Sequence, residues 1–362
     1  MWKENWNETT QHFIEWWQHD GLVVSKWGGV RNPALNRVAM AKPPRPVDAR
    51  AKYLDVPLRA QQAHYELSCS EFPLEVLPVA ETDMGPGSLA LFLGCEPGFS
   101  PETVWFDPCW MNVPDPESLP PLVFNPDNPW WKLTEETVRT CAELGRGCYL
   151  AGCPDLVENI DVLASLREPQ QLMMDMVERP EWVEQKVKEI TQVWFEAYGR
   201  IHEIIKHDDG SSIFGAFRVW GPGKTAKLQC DASAMFSPDM FKQFVVPELT
   251  VQCEWLDHSI YHLDGTQAMG HLDALLSIDA LDAIEWTPQA GIETGAHPRW
   301  YPLYRRILEA GKSVQVMDVH EHEIIPLLNA IGSKGVYLMT HINSLDEADS
   351  IRRKIEPFRN ES

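Results

Sequence analysis

SIYHLDGTQAMGHLDALLSIDALDAIEW, residues 259–286, decides the fold. It opens on a short apolar run, SIYHL (259–263), and closes on another, DAIEW (282–286). Between them, GTQAMGHLDALLSI places apolar residues at helical spacing. The same alternation continues on both sides. Downstream, PRWYPLYRRILEAG reads as a helix closed by Gly311, and SVQVMDV (313–319) as a strand. EHEIIPLLNAIG follows as a helix closed by Gly332, then GVYLMTHI (335–342) as a strand. The last helix, SLDEADSIRRKIE, starts with Ser344 as cap and Glu347 three residues on, a capping box. Upstream, SIFGAFRVW (212–220) reads as a single strand. The helix after it has Ser237 as N-cap and Pro238 at its first position.

Successive strand–helix units with continuously apolar strands predict a parallel sheet covered on both faces. Farther back, LEVLPVA (74–80), LALFLG (89–94) and CYLAG (148–152) read as further strands. Residues 134–145 and 156–206 read as helical, the second stretch broken near Pro169 and Pro180. The count then approaches eight, and the expected fold class is α/β, a (β/α)8 TIM barrel. No GxGxxG follows a strand, which counts against a dinucleotide fold. The expected organisation is an N-terminal arm and connector over 1–70 and a barrel over 71–362. In WNETTQHFIEWWQ, Trp6, Phe13, Trp16 and Trp17 share a helical face, with Asn7 or Thr9 as its cap. This helix is expected to pack on the main domain or on a partner subunit. Pro43-Pro44-Arg45-Pro46 breaks any element.

The 362 residues carry 31 Lys+Arg against 53 Asp+Glu, a formal charge of −22. That balance argues against nucleic acid and anionic membrane as partners. The first thirty residues hold several acids and no long apolar run, so no export signal is expected. The eight cysteines form no CxxC pair and read as reduced thiols of a cytoplasmic protein. The 15 Trp are an unusual number.

In a barrel, function sits where the strands end. Those positions hold Asp155, Trp220, His262, Asp264, Glu285, Trp286, Asp318, His320, His322, Thr340 and His341, with Cys230 and Asp231 in the adjoining loop. In His262-Leu-Asp264-Gly265, period-two alternation puts the imidazole and the carboxylate on one side. Such a pair ligates one cation, works as an acid–base couple, or is a histidine held by its neighbour in a helix-capping turn. His320-Glu-His322 has metal-like spacing, yet also opens a helix, where histidines face solvent. Cys230 reads as a small buried residue, while Asp231 stays a ligand or substrate contact. Gly221-Pro-Gly-Lys-Thr225 is not a Walker A loop, because Arg218 stands where its first glycine belongs. Gly85-Pro-Gly87 is a tight turn, at which backbone can approach a ligand. Tryptophans 105, 110, 130, 131, 220, 286 and 300 fall in loops or strand ends. They either line the mouth as a cage for a methylated cation or sugar, or fill core.

Taken together, AGCPDLVENIDVLASLREPQQLMMDMVERPEWVEQ (151–185), LQCDASAMFSPDMFKQFVVPEL (228–249), residues 260–286 and the final VYLMTHINSLDEADSIRRKIE resemble the uroporphyrinogen decarboxylase superfamily. The resemblance covers roughly residues 70–355 and implies a (β/α)8 barrel. It implies one of two chemistries: metal-free decarboxylation of porphyrinogen carboxylates, or methyl transfer between a corrinoid and a thiol or other carrier on zinc. The arginine-bearing N-terminal motif of the decarboxylases is missing; Arg31, Arg37, Arg45 and Arg50 are scattered. The resemblance therefore points to the metal-dependent methyltransferases. Their H-x-C pattern is met only at His262; Asp264 replaces the first cysteine, and Thr340-His341 stands near the last ligand.

On this reading His262, Asp264 and His320 or His341 hold a divalent metal, zinc first, with manganese or iron also compatible with the harder donors. Asp155, Asp231 and Glu285 orient substrate or move a proton, and Trp220, Trp286, Gly87 and His341 contact substrate. The substrate is a small molecule. No DxHxxG-type segment is present, so a corrinoid would arrive on a separate protein. A homodimer is expected. The alternatives are a metal-free decarboxylase or lyase acting on a small carboxylated substrate, and a ligand-binding barrel without turnover.

Overall fold

The computed structural model describes residues 1–85 and 87–359. Its central feature is a six-stranded parallel sheet. The strands are β1 (Leu22–Ser25), β2 (Thr225–Gln229), β3 (His258–Asp264), β4 (Ala283–Thr287), β5 (Ser313–Val319) and β6 (Val336–Thr340). Their spatial order is β1-β6-β5-β4-β3-β2. Each strand from β3 to β6 is followed by helix, as the apolar rhythm predicts, while β2 lies in a stretch expected to be loop. Ser237 Oγ accepts the Met240 N–H at 3.3 Å, and Ser344 Oγ accepts that of Glu347 at 3.1 Å. These caps satisfy backbone donors that a helix start leaves open.

Four local expectations are corrected. Leu22–Ser25, expected within the arm, is the edge strand of the main sheet. LALFLG forms a four-residue helix, Leu89–Phe92, not a strand. A short, wholly buried apolar run carries no periodicity to separate the two. Within 74–80 only Val79–Ala80 pairs, lying parallel to Leu150–Ala151. The stretch 212–220 is two antiparallel strands, Ser212–Phe214 and Val219–Gly221, around a turn at Ala216–Arg218. Phe217 and Arg218 adopt φ of 59° and 54° there, a left-handed conformation that non-glycine residues rarely take.

Lateral contacts continue beyond the six strands. Ser212–Phe214 packs beside β2, and Phe214 bridges Cys153. Leu150–Ala151 and Val79–Ala80 come next, and the Glu75 N–H donates to Val24 O of β1 at 3.1 Å.

Alternation splits the sheet into two faces. Leu263, Trp286, Val316 and Leu338 point to the helices and belong to the larger apolar cluster. The other face carries Val23, Ile260, Ala283, Met317 and Tyr337, and against it packs helix α1 (Trp6–Trp17). Trp16 Nε1 donates to Gly335 O at 3.2 Å, just before β6, and Trp17 stacks on His258, the first residue of β3, at 4.7 Å. Trp17 Nε1 also donates to Trp220 O at 2.9 Å. The helix thus seals the N-terminal ends of the strands. It starts from Asn5 with no side-chain cap, so neither Asn7 nor Thr9 serves as one; Thr9 Oγ1 bonds Leu74 O at 3.3 Å instead.

Phe13 is fully buried, edge-on to Tyr337 at 5.5 Å. Phe13→Ala is expected to cost about 3–5 kcal/mol, read from the urea midpoint, through lost burial and the cavity left behind. A loss below about 1 kcal/mol would show that α1 does not hold the inner face together.

Candidate metal centre

One face of β3 runs His258, Ile260, His262, Asp264, from the sealed end to the open end. The two histidines on it live in opposite environments. His258 sits under Trp17 with its Nδ1 unpartnered, and burial pushes its pKa down to about 4. His262 is half-buried, which lowers its pKa, but the Glu285 carboxylate overrides that and the net direction is up.

Pairing sets that contact. Register puts His262 directly opposite Glu285 on β4 and Gln229 on β2. His262 Nδ1 is hydrogen-bonded to Glu285 Oε2. Glu285 is fully buried, and its other oxygen accepts the Thr287 hydroxyl at 2.6 Å. With Nδ1 engaged, Nε2 is the nitrogen left to meet other groups. His262 belongs to a cluster with Asp231 and Asp264 in which one ligand atom of each residue lies within 4.8 Å of the others.

Asp231 is fixed from beneath. Asp161 accepts the backbone N–H groups of Asp231 and Ala232, both at 2.8 Å. Gln229 Nε2 donates to Asp231 Oδ2 at 2.9 Å. One edge of Asp231 faces solvent, while burial of the rest and the neighbouring Asp161 charge raise its pKa to about 6.

A buried lysine extends this network. Lys227 Nζ donates to Asp155 Oδ2 at 2.8 Å and also bonds Gln229 Oε1. Burial lowers the ammonium pKa, but Asp155 and Glu158 outweigh it and keep the group charged. Glu158, fully buried, is driven well above the usual carboxylate range and accepts the Gln229 N–H. The Asp155 backbone N–H donates to Asp83 Oδ1. Burial first, and the Asp155 charge second, raise Asp83 to about 6. Asp83 borders a cavity of about 440 Å³, also lined by Tyr53, Arg59, Glu81 and Val104.

The structure therefore brings His262, Asp264, Asp231, Glu285 and Asp155 to one mouth. Gly87 joins them: at φ 86° its N–H reaches Asp155 O at 3.1 Å, and a Cβ there would lie 3.2 Å from Phe106. His320 and His341 group separately, with Asp318. Trp286 is buried against Trp300 at 5.0 Å, on the opposite face of β4 from Glu285. Trp220 packs with Trp6 and Phe13 at the sealed end. Neither ring lines the mouth, because strand alternation and α1 claim them for packing. The aromatic that does reach the site is Phe217, whose ring centre is 4.7 Å from that of His262. Gln315 Nε2 holds the Phe217 carbonyl at 2.8 Å. Cys230 is buried and its thiol pKa is pushed well up by that burial, so it offers no thiolate. Lys227 and Phe217 carry no motif, although Lys227 is in phase with Gln229 and Asp231.

No family model matches the chain, and no curated protein matches its sequence. Among solved structures, a methyltransferase from Methanosarcina mazei superposes with a TM-score of 0.63 at 12% identity. The match covers 97% of this chain and 98% of that one. The likeness is one of fold over the whole length.

Proposed function

We propose that this protein is a metal-dependent methyltransferase on a (β/α)8 barrel, of the uroporphyrinogen decarboxylase superfamily. The lateral contacts leading from β2 back to β1, and the full-length fold likeness, support the barrel. The observation that carries the chemistry is the Glu285–His262 pair facing Asp231 and Asp264. A carboxylate on Nδ1 fixes the tautomer and raises the basicity of Nε2, the usual support for a metal-binding histidine. One imidazole and two carboxylates fit a borderline-to-hard divalent cation, with zinc as first choice and manganese or iron as alternatives.

Such a cation, when bound, supplies Lewis acidity to the heteroatom that gives or receives the methyl group. The chain's own residues do the rest. Glu285 orients the imidazole, and Gln229 and Asp161 hold Asp231 in place. Phe217 covers one side of His262 and keeps water from it. Asp155, pinned by Lys227 and docked to Gly87, orients substrate entering from the cavity beside Asp83. A corrinoid carrying the methyl group would arrive on a separate protein. We place the enzyme in the cytoplasm as a homodimer. The free cysteines are consistent with a reducing compartment, and no helix among the described residues is long and apolar enough to cross a membrane.

His262→Ala is expected to lose the metal equivalent held at this site, read by elemental analysis after dialysis. Full metal content in that variant would overturn the reading. Glu285→Gln should keep the metal but weaken its affinity about 10–100-fold. Methyl transfer from a methylated small molecule to an added corrinoid protein should disappear in both variants or fall steeply.

Asp83 has its own pH signature. Asp83 rises from 3.8 to about 6 on folding, so the native state binds its proton more tightly than the unfolded chain. Its cost is absent below the unfolded value, grows as pH rises, and is complete above the folded value. Asp83→Asn keeps the acceptor for the Asp155 N–H and removes the charge. It should stabilise the protein by about 1–3 kcal/mol at pH 8 and by only about 0.5 kcal/mol at pH 4. Urea midpoints of both proteins at the two pH values test this; a destabilised variant at pH 8 contradicts it.

A further inference from the structure

The other end of the same mouth carries a second set of ligands. The pairing of β5 with β6 breaks between Val316 and Val319, and the residue thrown out by that break is Asp318. Its φ is 58°, left-handed for a residue with a side chain. Such a conformation costs on the order of 1–3 kcal/mol and persists only where surrounding structure enforces it. Its result is a carboxylate turned out of the sheet between buried Met317 and Val319. Asp318 Oδ1 lies 2.5 Å from His341 Nε2.

Both imidazoles that meet it are on fixed backbone. The His341 N–H bonds Val319 O at 3.3 Å, directly after β6. The His320 N–H bonds Glu323 Oε2 at 2.9 Å, at the start of the helix Glu321–Ile331. The two rings stack with centres 4.6 Å apart, and His322 follows at 5.8 Å from His320. One ligand atom from each of Asp318, His320 and His341 lies within 4.8 Å of the others, and all three residues are exposed. Two strand spacings separate β3 from β5, about 10 Å, so this group does not share a cation with His262.

We propose that Asp318, His320 and His341 form a second divalent-cation site, independent of the one at His262. Two imidazoles and one carboxylate suit a borderline cation such as zinc or nickel, and small side-chain rotations bring the three donors to bonding distance. Because the ligands are exposed, the remaining coordination positions stay open to water or to an incoming ligand atom.

Calorimetric titration of the metal-free protein with zinc chloride alone tests this. The wild type should bind two zinc ions per chain. His320→Ala, His341→Ala and Asp318→Asn should each lose one of them, or weaken it at least 100-fold, and keep the other. His262→Ala should lose the opposite equivalent, and His262→Ala/His341→Ala should bind none. Cobalt(II) provides a second readout: the visible absorption of the second equivalent should vanish in His341→Ala and survive in His262→Ala. Circular dichroism checks that each variant is folded. A wild type that binds one zinc, lost in His262→Ala and kept in His341→Ala, overturns the second site while leaving the first standing. One zinc lost in His341→Ala and kept in His262→Ala overturns the first and supports the second. Weak binding above about 1 mM, unchanged by all three variants, overturns the second site as well.

Discussion

A fully buried carboxylate beneath a histidine organises this protein. Glu285 has no solvent and, among the described residues, two side-chain hydrogen-bond partners, the His262 imidazole and the Thr287 hydroxyl. Burying a charge without such partners is expensive, and removing either would leave the other stranded. The contact demands that β3 and β4 hold one register, since a slip of one residue would turn His262 toward the helices. The apolar residues on the reverse faces of those strands, Leu263 and Trp286, lock that register from behind. The core and the site therefore specify each other.

The site also shows how like charges coexist. Asp83, Asp155, Glu158, Asp161 and Asp231 crowd one mouth, and Lys227 is the buried ammonium that balances them, bonded to Asp155. Burial first, and neighbouring acids after it, raise Asp83, Glu158 and Asp231. Protons, or a cation, are what such a mouth attracts. The net charge of −22 reinforces the preference across the whole molecule.

Much of this was legible in the residues, and unevenly. From 237 to 359, apolar runs and caps at Ser237 and Ser344 mark each strand and helix, because both periods are complete there, whereas β2, with Thr225, Lys227 and Gln229 alternating on one face, reads as loop. From 74 to 152 the paired segments are two residues long, too short for alternation to register, and Leu89–Phe92 is equally apolar on every side. β1 escaped notice because four residues, LVVS, carry no helix directly behind them. The HxD spacing and the strand-end position of Glu285 mark three of the mouth's polar groups. Phe217 was invisible, since a left-handed phenylalanine has no signature in sequence. The tryptophans misled for the reverse reason: Trp286 ends a strand, yet its parity sends the ring to the outer layer.

The helix that seals the sheet has a consequence for traffic. With Phe13, Trp16 and Trp17 filling the far end, a molecule reaching His262 enters and leaves by the same doorway. On the proposed methyl transfer, donor and acceptor would share that one entrance and use it in turn. The plug thus makes the order of visits, and not only their chemistry, a property of the N-terminal helix.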